Sequence, residues 1–134
     1  MQARMQSLPV SLSAPLAGRI ITGLAALFLA MDGVMKLAKP AAVVDSMVEL
    51  GYPVRLAEGL GILLLTCLAI YLYPRTSAIG AVLLTGYLGG AIATHLRVEN
   101  GLGELTFPII VGAFVWGGLY LRDERLRALV APRD

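Results

Sequence analysis

Four apolar blocks dominate this 134-residue chain, and each is close to the length needed to cross a hydrocarbon core. Leu16 to Ala38, Val54 to Tyr73, Ser77 to Leu96 and Leu105 to Leu121 all approach the roughly 20 residues that span about 30 Å as a helix. Lipid cannot hydrogen-bond backbone N–H and C=O groups, so such blocks are predicted to be helical. Charged residues make up only 15% of the chain, against roughly 25% in a soluble domain, too few to coat a water-facing surface. The reading is an all-α integral membrane four-helix bundle occupying residues 16–121. A short, poorly structured N-terminal tail (1–15) precedes it and a basic cytoplasmic C-terminal tail (122–134) follows.

The first block needs distinguishing from a cleaved leader. Ile20 to Met31 has a leader's length and follows Arg4 and Arg19, but no A-x-A-like site comes after it and apolar character resumes up to Ala38. It reads as a retained first helix. Arg4, Arg19, Arg75, Arg122, Arg125, Arg127 and Arg133 fall on one side of the four spans, and Lys36, Lys39, Arg55 and Arg97 on the other. That bias places both termini in the cytoplasm of a multi-pass protein of the cell membrane. Between the first two spans, Pro40 suits a helix start and Gly51 a helix end. Val43, Val44, Met47 and Val48 share one face of that segment, as in a short amphipathic helix at the interface. Small residues recur at Gly86, Gly90 and Thr94, and in a second ridge at Ala81, Thr85, Gly89 and Ala93. They predict close packing of a central third span inside the bundle, with Gly112, Gly117 and Gly118 acting alike on the fourth.

Five ionisable side chains lie inside or at the lip of the apolar blocks: Asp32, Lys36, Glu58, His95 and Arg97. A charge at the centre of a bilayer costs about 3 kcal/mol or more. Alternating helix direction brings all five to one layer of the outer leaflet. Lys36 stands one turn from Asp32 on the same helical face. Two readings stand side by side, a closed ion-pair network and an open polar pocket. In the second, Glu58, Asp32 and His95 are the candidates for acid–base work, and Lys36, Tyr52, Thr94, Arg97 and Trp116 for holding a ligand. Tyr87 adds a further hydrogen-bonding group.

Several chemistries are excluded by the residues present. Cys67 has no second cysteine, so the chain holds no dithiol of its own, and a buried core position suits it. One histidine with scattered carboxylates is a poor metal set, and no metal site is expected. No phosphate-binding or dinucleotide fingerprint occurs, so no cofactor is identifiable. A net charge of +2 without a basic aromatic stripe gives no reason to expect nucleic acid.

Gly33-Val-Met-Lys-Leu37, Leu50-Gly-Tyr-Pro53, Ala57-Glu-Gly-Leu-Gly61 and the run from Gly86 to Arg97 occur in an order and spacing that resembles the DoxX-like family of small four-span membrane proteins. The resemblance covers nearly all of Leu16 to Leu121. It implies a four-helix membrane bundle. It also implies association with membrane redox complexes such as a thiosulfate–quinone oxidoreductase, while a similar animal protein is an assembly chaperone for receptors. Three functions follow as expectations. The first is an accessory protein whose outer-leaflet pocket takes a small amphipathic molecule, a quinone or a lipid. The second is a membrane-embedded isomerase or hydrolase. The third is a chaperone or subunit that binds other membrane proteins or further copies of itself.

Overall fold

The structure, a computed structural model, describes the backbone of residues 2–130 and the side chains of residues 13–130. Every regular element among them is a helix: α1 (Gln2–Ala38), α2 (Ala41–Glu49), α3 (Leu56–Leu72), α4 (Ser77–Arg97), α5 (Leu102–Arg122) and α6 (Glu124–Val130). A single 3-10 turn at Pro74–Thr76 joins α3 to α4. Segments within α1, α4 and α5 are long and apolar enough to cross a membrane. At 17 residues α3 is shorter, at the low end of the spanning range.

The four long helices stand in a ring. Helix α1 packs on α3 and α5, and α4 closes the circuit between the same two. The expectation of a central third span is therefore corrected, because in a ring each helix has two neighbours and none is enclosed. The N-terminal stretch also differs from expectation, since α1 runs from Gln2 and residues 2–15 continue the first helix. At the other end α6 occupies 124–130, where a plain tail was expected. Residues 131–134 of that tail lie outside the described residues.

Large apolar side chains point outward from all four ring helices. Leu27, Ile62, Val82 and Ile109 are each more than half exposed, while the enclosed core is a narrow column that includes Leu29, Leu64, Leu84, Val115 and Leu119. A continuous apolar exterior of this kind suits lipid and would drive aggregation in water. Cys67 lies buried in the column.

Glycines decide where helices touch, and of those the spacing suggested Gly118 is one and the α4 glycines are not. A Cβ on Gly18 would meet the carbonyl oxygen of Gly118 at 2.8 Å, so α1 and α5 cross backbone to backbone. A Cβ on Gly61 would meet the carbonyl oxygen of Gly33, also at 2.8 Å, which brings α3 onto α1. Gly80 packs against the backbone of Tyr71 where α4 leaves the turn. By contrast, a Cβ on Gly86, Gly89, Gly90 or Gly117 would meet nothing within 4 Å. Ala81 of the α4 ridges is buried in the core, whereas Gly86, Gly89 and Gly90 are exposed and do not mediate packing inside the bundle.

A polar knot ties the end of the bundle nearest Arg122. The Tyr71 hydroxyl donates to the Val115 carbonyl at 2.7 Å, and Arg122 Nε donates to Thr22 Oγ1 at 3.0 Å. The guanidinium also stacks over the Tyr71 ring, 5.3 Å from its centroid. Together these contacts join α1, α3 and α5. Gly61→Leu is expected to lose about 1–3 kcal/mol by overpacking against backbone that cannot yield. Gly23→Leu, which points into open space, should leave stability unchanged. Thermal melting of the two variants in detergent checks this, and equal melting temperatures would refute the backbone crossing.

Candidate functional site

At the α2 end the ring opens into a cavity of about 620 Å³, within the size range of small-molecule pockets. All four ring helices contribute to its wall, and α2 lies across its top. Helix α2 lies there because Lys39 (φ 52°) and Gly51 (φ 80°) turn the chain sharply at its two ends. Its position matches the predicted interfacial helix, with Met47 buried, Val43 and Val44 half-buried, and Val48 turned outward. Two contacts pin the roof. Arg97 Nη2 donates to the Leu50 carbonyl, and the Tyr52 hydroxyl lies 3.0 Å from Thr94 Oγ1.

Of the residues singled out in the sequence, Asp32, Lys36, Tyr52, Thr94 and His95 line this cavity. Lys36 Nζ donates to Asp32 Oδ2 at 2.6 Å, a pair that leaves the wall without net charge. Thr94 Oγ1 donates to the Gly90 carbonyl at 2.8 Å, using its only hydrogen. Tyr52 must therefore be the donor to Thr94, and its own oxygen keeps an acceptor site. The Asn100 amide nitrogen sits 2.7 Å from His95 Nδ1 and donates to it, so the neutral ring carries its hydrogen on Nε2.

Three of the sequence candidates lie elsewhere. Glu58 is exposed and faces Lys39 Nζ at 3.5 Å, since its place one turn into α3 puts it on the outer surface of that helix. Arg97 is spent on the roof rather than the cavity wall. Trp116 Nε1 donates to Thr85 Oγ1 at 2.7 Å, stitching α5 to α4 outside the cavity. A shared depth in the membrane does not imply a shared direction around each helix.

Other lining residues escaped the sequence reading or were underweighted there. Tyr87 lines the cavity, and its hydroxyl makes no hydrogen bond to any described residue. It precedes Thr94 by two helical turns on the same face of α4, which is the signal that could have promoted it. Phe28 and Phe107 meet edge to face with centroids 4.7 Å apart, and Leu60 and Leu63 complete the apolar wall. Phe28 stands one turn before Asp32, so it shares that residue's face. Among the described residues no group of three or more His, Cys, Asp or Glu side chains could hold a metal ion.

An apolar-surfaced helical ring with a polar-lined hollow at one end defines a small membrane protein. The DoxX-like family matches residues 20–118, and the chain belongs to that family. No curated protein and no solved structure matches the chain.

The Asp32–Lys36 pair makes an asymmetric prediction. Asp32→Asn leaves an ammonium on a largely apolar wall and should cost about 1–3 kcal/mol. Replacing both residues, as Asp32→Leu with Lys36→Met, should recover most of that loss. Melting temperatures in detergent decide it: a double variant no more stable than Asp32→Asn would show that no ion pair is at stake.

Proposed function

We propose that this DoxX-like protein is an accessory protein of the cell membrane, with both termini cytoplasmic and the cavity in the outer leaflet, and that the cavity holds a small amphipathic molecule. A quinone or a lipid head fits the chemistry on offer. The groups with hydrogens to give are the Tyr87 hydroxyl, His95 Nε2–H and the Lys36 ammonium, so the favoured partner is a head group bearing carbonyl or ester oxygens.

The observation that carries this reading is the Tyr87 hydroxyl. It lies near the middle of α4, flanks a cavity of ligand size, and has no partner among the described residues. The hydroxyl is open to the cavity, so a bound acceptor can reach it and supply the hydrogen bond that no described residue gives. A quinone head would link the protein to a membrane redox system. The acid–base alternative retains Asp32 and His95 at the cavity, on helices α1 and α4, but lacks Glu58, which pairs with Lys39 outside.

Native mass spectrometry of the protein extracted from its own membrane tests the proposal, with Tyr87→Phe and Asp32→Asn alongside. The expected result is a small-molecule adduct on the parent that is weaker on Tyr87→Phe and retained on Asp32→Asn, where the Lys36 ammonium still donates. Bare protein in all three samples would overturn the pocket reading and favour a chaperone or subunit that binds other membrane proteins.

A further inference from the structure

The cavity wall contains residues that also face the outside of the bundle. Leu63 is 51% exposed, Gly86 and Gly90 are exposed, and all three line the cavity. A residue that belongs both to the exterior and to the wall marks a thin place; at Met35 and Phe107 a large side chain fills it, whereas Gly86 and Gly90 leave it open. Leu63 belongs to α3, and Gly86 and Gly90 to α4, so the opening lies along the α3–α4 seam. Gly80 holds that seam shut against Tyr71 near the turn, whereas a Cβ at Gly86 or Gly90 would meet no atom within 4 Å. The α3–α4 seam is therefore left unfilled by side chains at Gly86 and Gly90.

The neighbouring seams are filled at comparable levels. Gly61 lies against the Gly33 backbone between α3 and α1, and Phe107 packs on Phe28 between α5 and α1. Between α4 and α5, Leu88 reaches Gly112 and Trp116 is bonded to Thr85. The top is roofed by α2, with Met47 only 3% exposed beneath it.

Depth identifies what the opening faces. At about 1.5 Å per residue, Leu63 and Gly90 lie about 10 Å, and Gly86 about 16 Å, from the α2-end termini of their helices. Half of a hydrocarbon core is about 15 Å, so the opening faces acyl chains rather than water. Of the polar groups on the wall, Tyr52, Thr94, His95 and Lys36 sit closer to the roof, while Asp32 and Tyr87 lie level with the opening.

We infer that the ligand is a chain-bearing amphiphile of the bilayer, which reaches the cavity sideways between α3 and α4. Its head rests against the polar groups between α2 and Tyr87, and its hydrocarbon chain leaves through the gap at Gly86 and Gly90. This rests on the binding role proposed above and adds the class of ligand and its route.

The test uses the full chain in phosphatidylcholine vesicles with a long-chain monoacylglycerol carrying a photoactivatable diazirine near the chain end. A second probe carries the diazirine on its glycerol head. Gly86→Leu/Gly90→Leu is the blocking variant, and it should fold normally because both side chains enter open space. The expected result is head labelling at the cavity wall and chain labelling at Leu60, Leu63 and the Gly86–Gly90 segment, both falling to background in the blocking variant. Head labelling at the wall that survives in that variant, or chain labelling at Phe28 and Phe107 or on α2, would overturn the lateral route alone. No cavity labelling by either probe in the parent protein would overturn the binding role and this inference together.

Discussion

Helices in lipid gain nothing by hiding apolar side chains from one another, so close backbone approach and hydrogen bonds must hold this bundle together. The Gly18–Gly118 crossing does so at the Arg122 end, the Gly61–Gly33 contact does so nearer α2, and both involve α1. Helix α4 has its tightest contact at Gly80, next to the turn. Farther along, α4 is held by side chains, Thr85 to Trp116 and Thr94 and Arg97 to the roof, rather than by a glycine crossing, and there the hollow lies. The cavity is a consequence of where the glycine contacts stop.

The two ends of the bundle treat polar groups differently. Near Arg122, the Tyr71 hydroxyl and the Thr22 hydroxyl find partners across helices and close the interior. At the α2 end the polar groups are satisfied within single helices or by the roof. Lys36 pairs with Asp32 on α1, Thr94 bonds back to Gly90, and His95 is held by Asn100 just past the end of α4. Because these bonds do not draw the helices together, the hollow stays open while its wall remains polar. Tyr87 is the exception, with its hydroxyl unpaired beside the hollow, and it has the most to gain from a ligand.

Much of the fold was legible because its causes are local. Apolar block length reports spans, Pro40 and Gly51 report the ends of α2, and the i,i+4 spacing of Asp32 and Lys36 reports their pairing. The site was legible in part. Asp32, Lys36, Tyr52, Thr94 and His95 share an end of the bundle and face one cavity, while Glu58, Arg97 and Trp116 share only the depth or the residue chemistry. The difference is rotation about the helix axis relative to neighbours, which no single block of sequence specifies.

The glycines make the division plain. Sequence alone determined that the chain would be helical, would present apolar surface to lipid, and would carry a layer of ionisable groups near one face of the membrane, because composition, helical rise and the absence of water impose these locally. Tertiary structure decided which small residues became contacts and which became gaps. Gly61 and Gly86 are the same residue in similar apolar surroundings, yet one touches backbone and the other borders an opening. What separates them is the presence of a facing helix, and that is set by how all four helices pack together.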